Sequence, residues 1–132
     1  MRLDPDGTVT LANAGHLPPF LNGHEFAVEP SLPLGLVSQA TYSETAIKLQ
    51  TGDQLSLYTD GLLEARNADG ELYGFERLHS FFATGPTAQQ ASEEAVKFGQ
   101  EDDITVLTLT RLAAGEESKT LVVAPILQSV TG

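Results

Sequence analysis

The sequence has no cysteine and no tryptophan, a single methionine, and only seven lysines and arginines against eighteen aspartates and glutamates in 132 residues. Without cysteine there is no disulfide, no thiolate zinc site and no cysteine nucleophile. A net charge of -11 is the opposite of what neutralising nucleic-acid phosphates requires, so nucleic-acid binding is set aside. Anionic membrane surfaces are disfavoured for the same reason. No apolar run approaches membrane-spanning length, and Met1 to Asp6 carries no signal-peptide apolar core, so the expected location is cytoplasmic. The histidines lie apart and form no recognisable ligand set. There is no Gly-x-Ser-x-Gly elbow, no His-Glu-x-x-His and no phosphate-cradling Gly-x-x-x-x-Gly-Lys loop.

What is present is a chain long enough for one domain or part of one, 41% hydrophobic, with regular turn signals. Its acidic surface is compatible with divalent cations or basic partner patches, and solubility alone would also explain it. The organising stretch is Gly52 to Ala65. Leu55, Leu57 and Thr59 alternate with Gln54, Ser56 and Tyr58, the period of a half-buried strand. Asp60-Gly61 then puts a carboxylate where the apolar pattern should continue, which costs stability unless it faces water, a donor or a cation. Taken alone, Asp-Gly reads as a strand-end turn.

A second stretch changes that weighting. Glu101-Asp102-Asp103 stands directly before the alternating run Ile104-Thr105-Val106-Leu107-Thr108-Leu109. If the two strands are antiparallel neighbours, the end of one lies beside the start of the other and the carboxylates converge on one edge of a sheet. Clustered like charges imply open solvent or a hard divalent cation.

These residues carry a resemblance. Ala12-Asn13-Ala14-Gly15-His16-Leu17-Pro18-Pro19, Leu32-Pro33-Leu34-Gly35, Gly52-Asp53 through Thr59-Asp60-Gly61, and Asp102-Asp103-Ile104-Thr105 occur in order over about residues 8 to 111. Together they resemble the metal-dependent serine/threonine phosphatases of the PPM (protein phosphatase 2C-like) superfamily, in the bacterial branch of sporulation stage II protein E and the sigma-factor regulator RsbU. That family's earlier Gly-Asp-Val-x-Gly-type stretch, whose aspartate bridges two metals, has no counterpart here. The likeness is to the C-terminal half of the domain.

The resemblance implies phosphoserine hydrolysis by a water that two Mn²⁺ or Mg²⁺ ions activate. Asp60 and Asp102 match the family's later metal ligands, with Asp103, Gly61 and His16 in supporting roles. The implied substrate is a phosphorylated regulatory protein of the anti-sigma-factor antagonist type. Because the bridging aspartate is lacking, this chain alone is expected to be inactive or to need completion. The rival reading is a non-catalytic remnant or interaction module that pairs its sheet with another chain, as a homodimer through exposed sheet edges for instance.

Along the rest of the chain, Asp4-Pro5-Asp6-Gly7 is a turn and Thr8 to Ala12 a strand, begun so early that no preceding strand is expected to pair with it. His16 is a ligand, a proton donor or, as is commoner beside glycine, a hydrogen bonder that fixes a loop. Asn22-Gly23 between two strand-like runs predicts a type I′ hairpin, with Pro19 at a strand start or edge and His24 exposed. Pro30 to Leu36 is a proline-punctuated loop, which in the resembled family runs near the site. Tyr42 to Leu49 is expected to be a strand, with Tyr42, Ala46 and Leu49 inward, pairing with Leu55 to Thr59 through the Gln50–Asp53 turn. Glu64 reads as a solvent-facing charge.

Phe75, Leu78 and Phe82 stand at helical spacing as core. Thr87 and Gln90 fit a capping box. They open a helix with Ala88, Ala91, Ala95 and Phe98 on one stripe, which Gly99 ends. The predicted fold class is α/β (α+β): mainly antiparallel sheet with two helices, part of an α-β-β-α sandwich. Residues 1–112 are expected to form the partial phosphatase domain. Residues 113–132 are read as a flexible tail, with Leu121 to Leu127 apolar enough to pack as an extra strand or bind a partner.

Overall fold

The computed structural model describes residues 1–115; the expected tail lies outside the described residues from residue 116 on. The elements are β1 (Arg2–Leu3), β2 (Thr8–Ala12), β3 (Phe20–Leu21), β4 (His24–Glu25), β5 (Glu44–Lys48), β6 (Gln54–Tyr58), α1 (Asp60–Leu63), α2 (Gly74–Phe82), α3 (Ala88–Phe98) and β7 (Val106–Thr110). The strands form two antiparallel sheets, β1-β2-β5 and β4-β3-β6-β7. The helices cover one face of the larger sheet and the smaller sheet covers the other. The molecule is thus mixed α/β with antiparallel sheets, three successive layers of the expected sandwich.

Each interface has its own apolar set. Between helices and sheet lie Phe20, Tyr58, Leu62, Leu78, Phe82, Ala91, Ala95 and Val106. Phe20 and Phe82 stack there at 4.6 Å between ring centres. Between the sheets lie Val9, Leu11, Leu49 and Leu55, with Ile47, Leu57 and Leu109 beside them. Burying each large side chain contributes about 1.5–3 kcal/mol. The outer face of the smaller sheet carries Thr8, Thr10 and Ala12 opposite Lys48, Ala46 and Glu44.

Several local signals hold. Asn22 at φ 50° and Gly23 at φ 80° form the turn between β3 and β4, as a type I′ hairpin requires. The Thr87 hydroxyl accepts from Gln90 N while the Gln90 side chain accepts from Thr87 N, a complete capping box. Gly99, at φ 129°, caps the other end of α3. Ala91 and Ala95 are fully buried on the predicted stripe.

Other expectations are corrected. Thr8 to Ala12 does have a preceding partner, β1, through Arg2↔Thr10 and Leu3↔Val9. β5 pairs with β2 rather than β6. β6 already has β3 on one edge and β7 on the other, so no edge is left for β5. The Gln50–Asp53 turn instead carries the chain from one sheet to the other. It is tied down by Gly52 N donating to Arg111 O at 2.7 Å and Arg111 N donating to Asp53 O at 3.0 Å. The inward parity of β5 follows: Thr45 and Ile47 are half-buried, leading to buried Leu49, while Ala46 is exposed and Tyr42 half-buried. β6 is covered on both faces, so Ser56 and Tyr58 are as buried as Leu55. Phe75 is 53% exposed, whereas Leu78 and Phe82 on the same helix are buried in the core between helices and sheet. Asp60 opens a one-turn helix, α1, a third helix besides the two expected.

Candidate active site

The register Tyr58↔Val106 sets the end of β6 beside the start of β7, the convergence that the acidic stretches implied. Beyond the ladder, Thr59 N donates to Thr105 O and Thr105 N to Thr59 Oγ1, both at 3.0 Å. The Thr59 hydroxyl is therefore spent across the strands and does not cap α1, although Thr59 holds the extended N-cap conformation.

Two glycines then bind the connection after β6 to the connection after α3. A Cβ on Gly61 would stand 2.5 Å from the Asp103 carbonyl oxygen, and one on Gly99 2.1 Å from the Arg66 carbonyl oxygen. Gly61 is not in the left-handed region; it is glycine because the neighbouring backbone occupies the space of a side chain. This close approach brings the Asp60-Gly61 and Asp102-Asp103 segments together.

Asp60, Asp102 and Asp103 are all exposed. The Asp102 carboxylate accepts from Asp103 N at 2.8 Å, and its carbonyl accepts from Gln100 Nε2 at 2.7 Å. A cavity of about 400 Å³ opens beside them, lined by Gly61, Glu64, Arg66, Leu72, Glu101 and Asp102. Asp102 and Gly61 thus share one cavity, while Asp60 and Asp103 flank it in sequence without lining it. Glu64 is exposed as expected, yet it also faces the cavity. Glu101 and Arg66 were given no role by sequence reasoning; Glu101 adjoins Asp102, whereas nothing local marks Arg66.

The oxygen donors fit the chemistry of a hard cation, with no sulfur or imidazole among the lining groups. Among the described residues no group of three or more His, Asp or Glu side chains is close enough to hold a metal. The fit is that of part of a site.

His16 belongs to the same end of the sheet. Asn13, buried, donates from Nδ2 to His16 O at 2.8 Å and accepts from His16 N at 2.7 Å. That bracket aims His16 Nε2 at the Tyr58 carbonyl, 2.8 Å away, where β3 no longer flanks β6. A ring nitrogen facing a carbonyl must donate, so Nε2 ties the His16 loop to the end of β6. The proline loop packs alongside, with Ser31 N donating to Asn13 O at 2.9 Å and the Pro33 ring 2.8 Å from where a Gly15 Cβ would stand.

The family model for stage II sporulation protein E (SpoIIE) matches residues 1–112. The chain belongs to the SpoIIE family. Protein IcfG of Synechocystis sp. is 28% identical over 119 residues, covering 80% of this chain and 19% of that protein. The RsbU and RsbW domains of Rv1364c from Mycobacterium tuberculosis superpose with a TM-score of 0.62 at 28% identity, over 84% of this chain and 34% of theirs. The Mn-presoaked phosphatase domain of SpoIIE from Bacillus subtilis shares the fold at a TM-score of 0.61 and 23% identity, over 87% of this chain and 56% of that one. This SpoIIE-family chain therefore spans less than two thirds of each relative, and it is a member of a PPM-type phosphatase family. No helix among its described residues is long and apolar enough to cross a membrane.

Proposed function

We propose that this chain is the later part of a metal-dependent protein serine/threonine phosphatase acting on phosphoserine in a bacterial regulatory protein of the anti-sigma-factor antagonist type. Residues 1–112 are the phosphatase part and 113–132 a tail. Asp60 and Asp102 are the carboxylates that hold one Mn²⁺ or Mg²⁺, and a second ion belongs to the complete site. When bound, these ions supply charge neutralisation at the phosphoryl oxygens and an acidified water. Asp103 lends its carbonyl to the Gly61 contact that keeps the two segments adjacent, and His16 anchors the end of β6 from which Asp60 emerges. The observation that carries this reading is the Gly61–Asp103 approach, which leaves no room for a side chain at position 61 and brings the Asp60 and Asp102 segments side by side.

A second reading, a non-catalytic module that pairs its sheet with another chain, draws on the lack of a three-ligand group among the described residues and on the short edge strands β1 and β4. One experiment separates the two: Mn²⁺ titration by calorimetry and Mn²⁺-dependent hydrolysis of a phosphoserine peptide, with Asp60→Asn and Asp102→Asn. The phosphatase reading expects Mn²⁺ affinity to fall about tenfold or more in each variant, by loss of one carboxylate ligand. Unchanged affinity in both, together with a dimer in sedimentation, would decide for the module.

A further inference from the structure

The helical layer carries a larger cavity than the one at the carboxylates, a groove of about 880 Å³ along α2 and α3. Its lining is aromatic. Tyr73 meets Phe98 edge-on at 5.0 Å between ring centres, and Phe75 projects 53% exposed from the first turn of α2. Leu72, 44% exposed, lines both this groove and the carboxylate cavity, so the two adjoin at that side chain. Neither Phe75 nor Leu72 belongs to either apolar core. Exposed large apolar side chains grouped beside a polar cavity mark an interaction surface more often than chance exposure does.

The charge of the groove says what fits it. Its one cation among the described residues, Arg77, is already used: Nη1 donates to Leu72 O at 2.7 Å, Nη2 lies 3.6 Å from Glu71, and the guanidinium sits 5.2 Å over the Phe98 ring. Glu76 and Glu94 also line the groove. On a chain of net charge -11, this acidic surround disfavours a second copy and favours a cationic segment.

We propose that this groove docks the phosphoprotein substrate, through a segment in which an apolar side chain is flanked by lysine or arginine. The apolar side chain seats against Phe75 and Leu72, the cations meet Glu76 and Glu94, and the phosphoserine lies in the adjoining carboxylate cavity. The proposal rests on the phosphatase reading above and adds to it the surface that selects the substrate. Anchoring a remote segment raises the local concentration of the phosphoserine at the cavity and sets specificity without touching the reacting atoms.

The test uses fluorescent phosphoserine peptides of equal charge, one flanked by leucine and lysine, the other by glycine and lysine. Anisotropy should show the leucine-flanked peptide binding about tenfold tighter, the scale of one buried apolar anchor. Phe75→Asp should abolish that preference. The added negative charge would strengthen any non-specific attraction to lysine, so a loss can only come from the apolar contact. Phe75 is exposed, so the variant should keep the far-ultraviolet circular dichroism of the parent; Leu72→Asp provides a second variant at the junction.

Equal affinity for the two peptides, or a preference that survives both variants, overturns the proposal. The unphosphorylated leucine-flanked peptide separates the two readings. Its Phe75-dependent binding, with no Mn²⁺-dependent hydrolysis of the phosphorylated leucine-flanked peptide, counts against the phosphatase reading alone. Hydrolysis of both peptides with the same KM counts against the docking groove alone.

Discussion

The two ends of the sandwich use their carboxylates differently. At the end holding the Asp4–Gly7 and Gln50–Asp53 turns, each acid is bound into the structure. Asp53 accepts from Gln50 N at 2.7 Å and from Asn22 Nδ2 at 2.9 Å. Asp6 accepts from Lys48 Nζ at 2.6 Å and from Thr8 N at 2.9 Å. At the opposite end, among the described residues, the Asp60 and Asp103 carboxylates accept no hydrogen bond and that of Asp102 accepts only from the adjacent Asp103 N, while backbone contacts at Gly61 and Gly99 hold the segments. The same residue type ties turns together at one end and is left largely unbonded at the other. A carboxylate with free acceptor sites in an acidic neighbourhood gains most from a cation.

The sharpest way to break this contrast is to block the close approach. Gly61→Ala puts a methyl against backbone that cannot yield, at the upper end of overpacking costs, about 3 kcal/mol. At the other end Gly52 has nothing within 4 Å of its Cβ position and only its φ of 90° to lose. Gly52→Ala should cost about 1–2 kcal/mol, the penalty of a left-handed residue. Urea denaturation measures both, and Mn²⁺ titration should weaken only in Gly61→Ala. A Gly61→Ala protein as stable as the parent would mean that the two connections are not in contact in solution.

The acids themselves give the next largest effect, and the property it touches differs between ends. Asp60→Asn should leave stability within about 0.5 kcal/mol, as for a surface change that breaks no hydrogen bond, while weakening the proposed Mn²⁺ binding. Asp53→Asn should lower the denaturation midpoint by breaking the Gln50 and Asn22 bonds and leave Mn²⁺ binding intact. If both variants lose stability and neither loses Mn²⁺ affinity, the contrast between the ends fails.

Much of this was legible in the sequence where the signal is local. The Asn22-Gly23 turn, the Thr87–Gln90 capping box and the Gly99 stop each rest on a few neighbouring residues whose chemistry allows little else. The adjacency of the Asp60-Gly61 and Asp102-Asp103 segments followed from two alternating runs and antiparallel pairing. The partner of β5 was not legible, because the Gln50–Asp53 turn looks the same whether the chain returns along one sheet or crosses to another; only the occupied edges of β6 decide. The burial of Ser56 and Tyr58 was hidden for a related reason, since alternation describes a strand with one wet face and β6 has none. Nor could the sequence tell Phe75 from Leu78 and Phe82, because helical spacing gives a stripe and not how much of it the core covers.

Acid titration sharpens the comparison further. Backbone and side-chain donors at Gln50 and Asn22 hold the Asp53 carboxyl below its ordinary 3.8. The Lys48 ammonium, with Thr8, does the same for Asp6. A carboxyl depressed in the folded state contributes stability above its unfolded pKa and loses it as pH falls through the folded one. Stability should therefore decline below about pH 4. Asp53→Asn should flatten that decline, as read from urea midpoints between neutral and acid pH.

The smallest effect concerns the residue on which His16 closes. Tyr58 is 2% exposed, its hydroxyl has no partner among the described residues, and burial with the nearby Glu25 charge pushes its pKa up to about 12. Its ring lies 5.6 Å from that of Phe20 and 5.4 Å from that of Phe82, contacts that a phenylalanine would keep. Removing an unpaired buried hydroxyl while keeping the shape is neutral or stabilising, so Tyr58→Phe should raise the unfolding free energy by up to about 1 kcal/mol. The bond from His16 to the Tyr58 carbonyl is a main-chain one and survives the change, so Mn²⁺ affinity should not move. A loss of stability in Tyr58→Phe would reveal that the hydroxyl has a partner in solution, and a loss of Mn²⁺ affinity would tie that partner to the acidic end of the sheet.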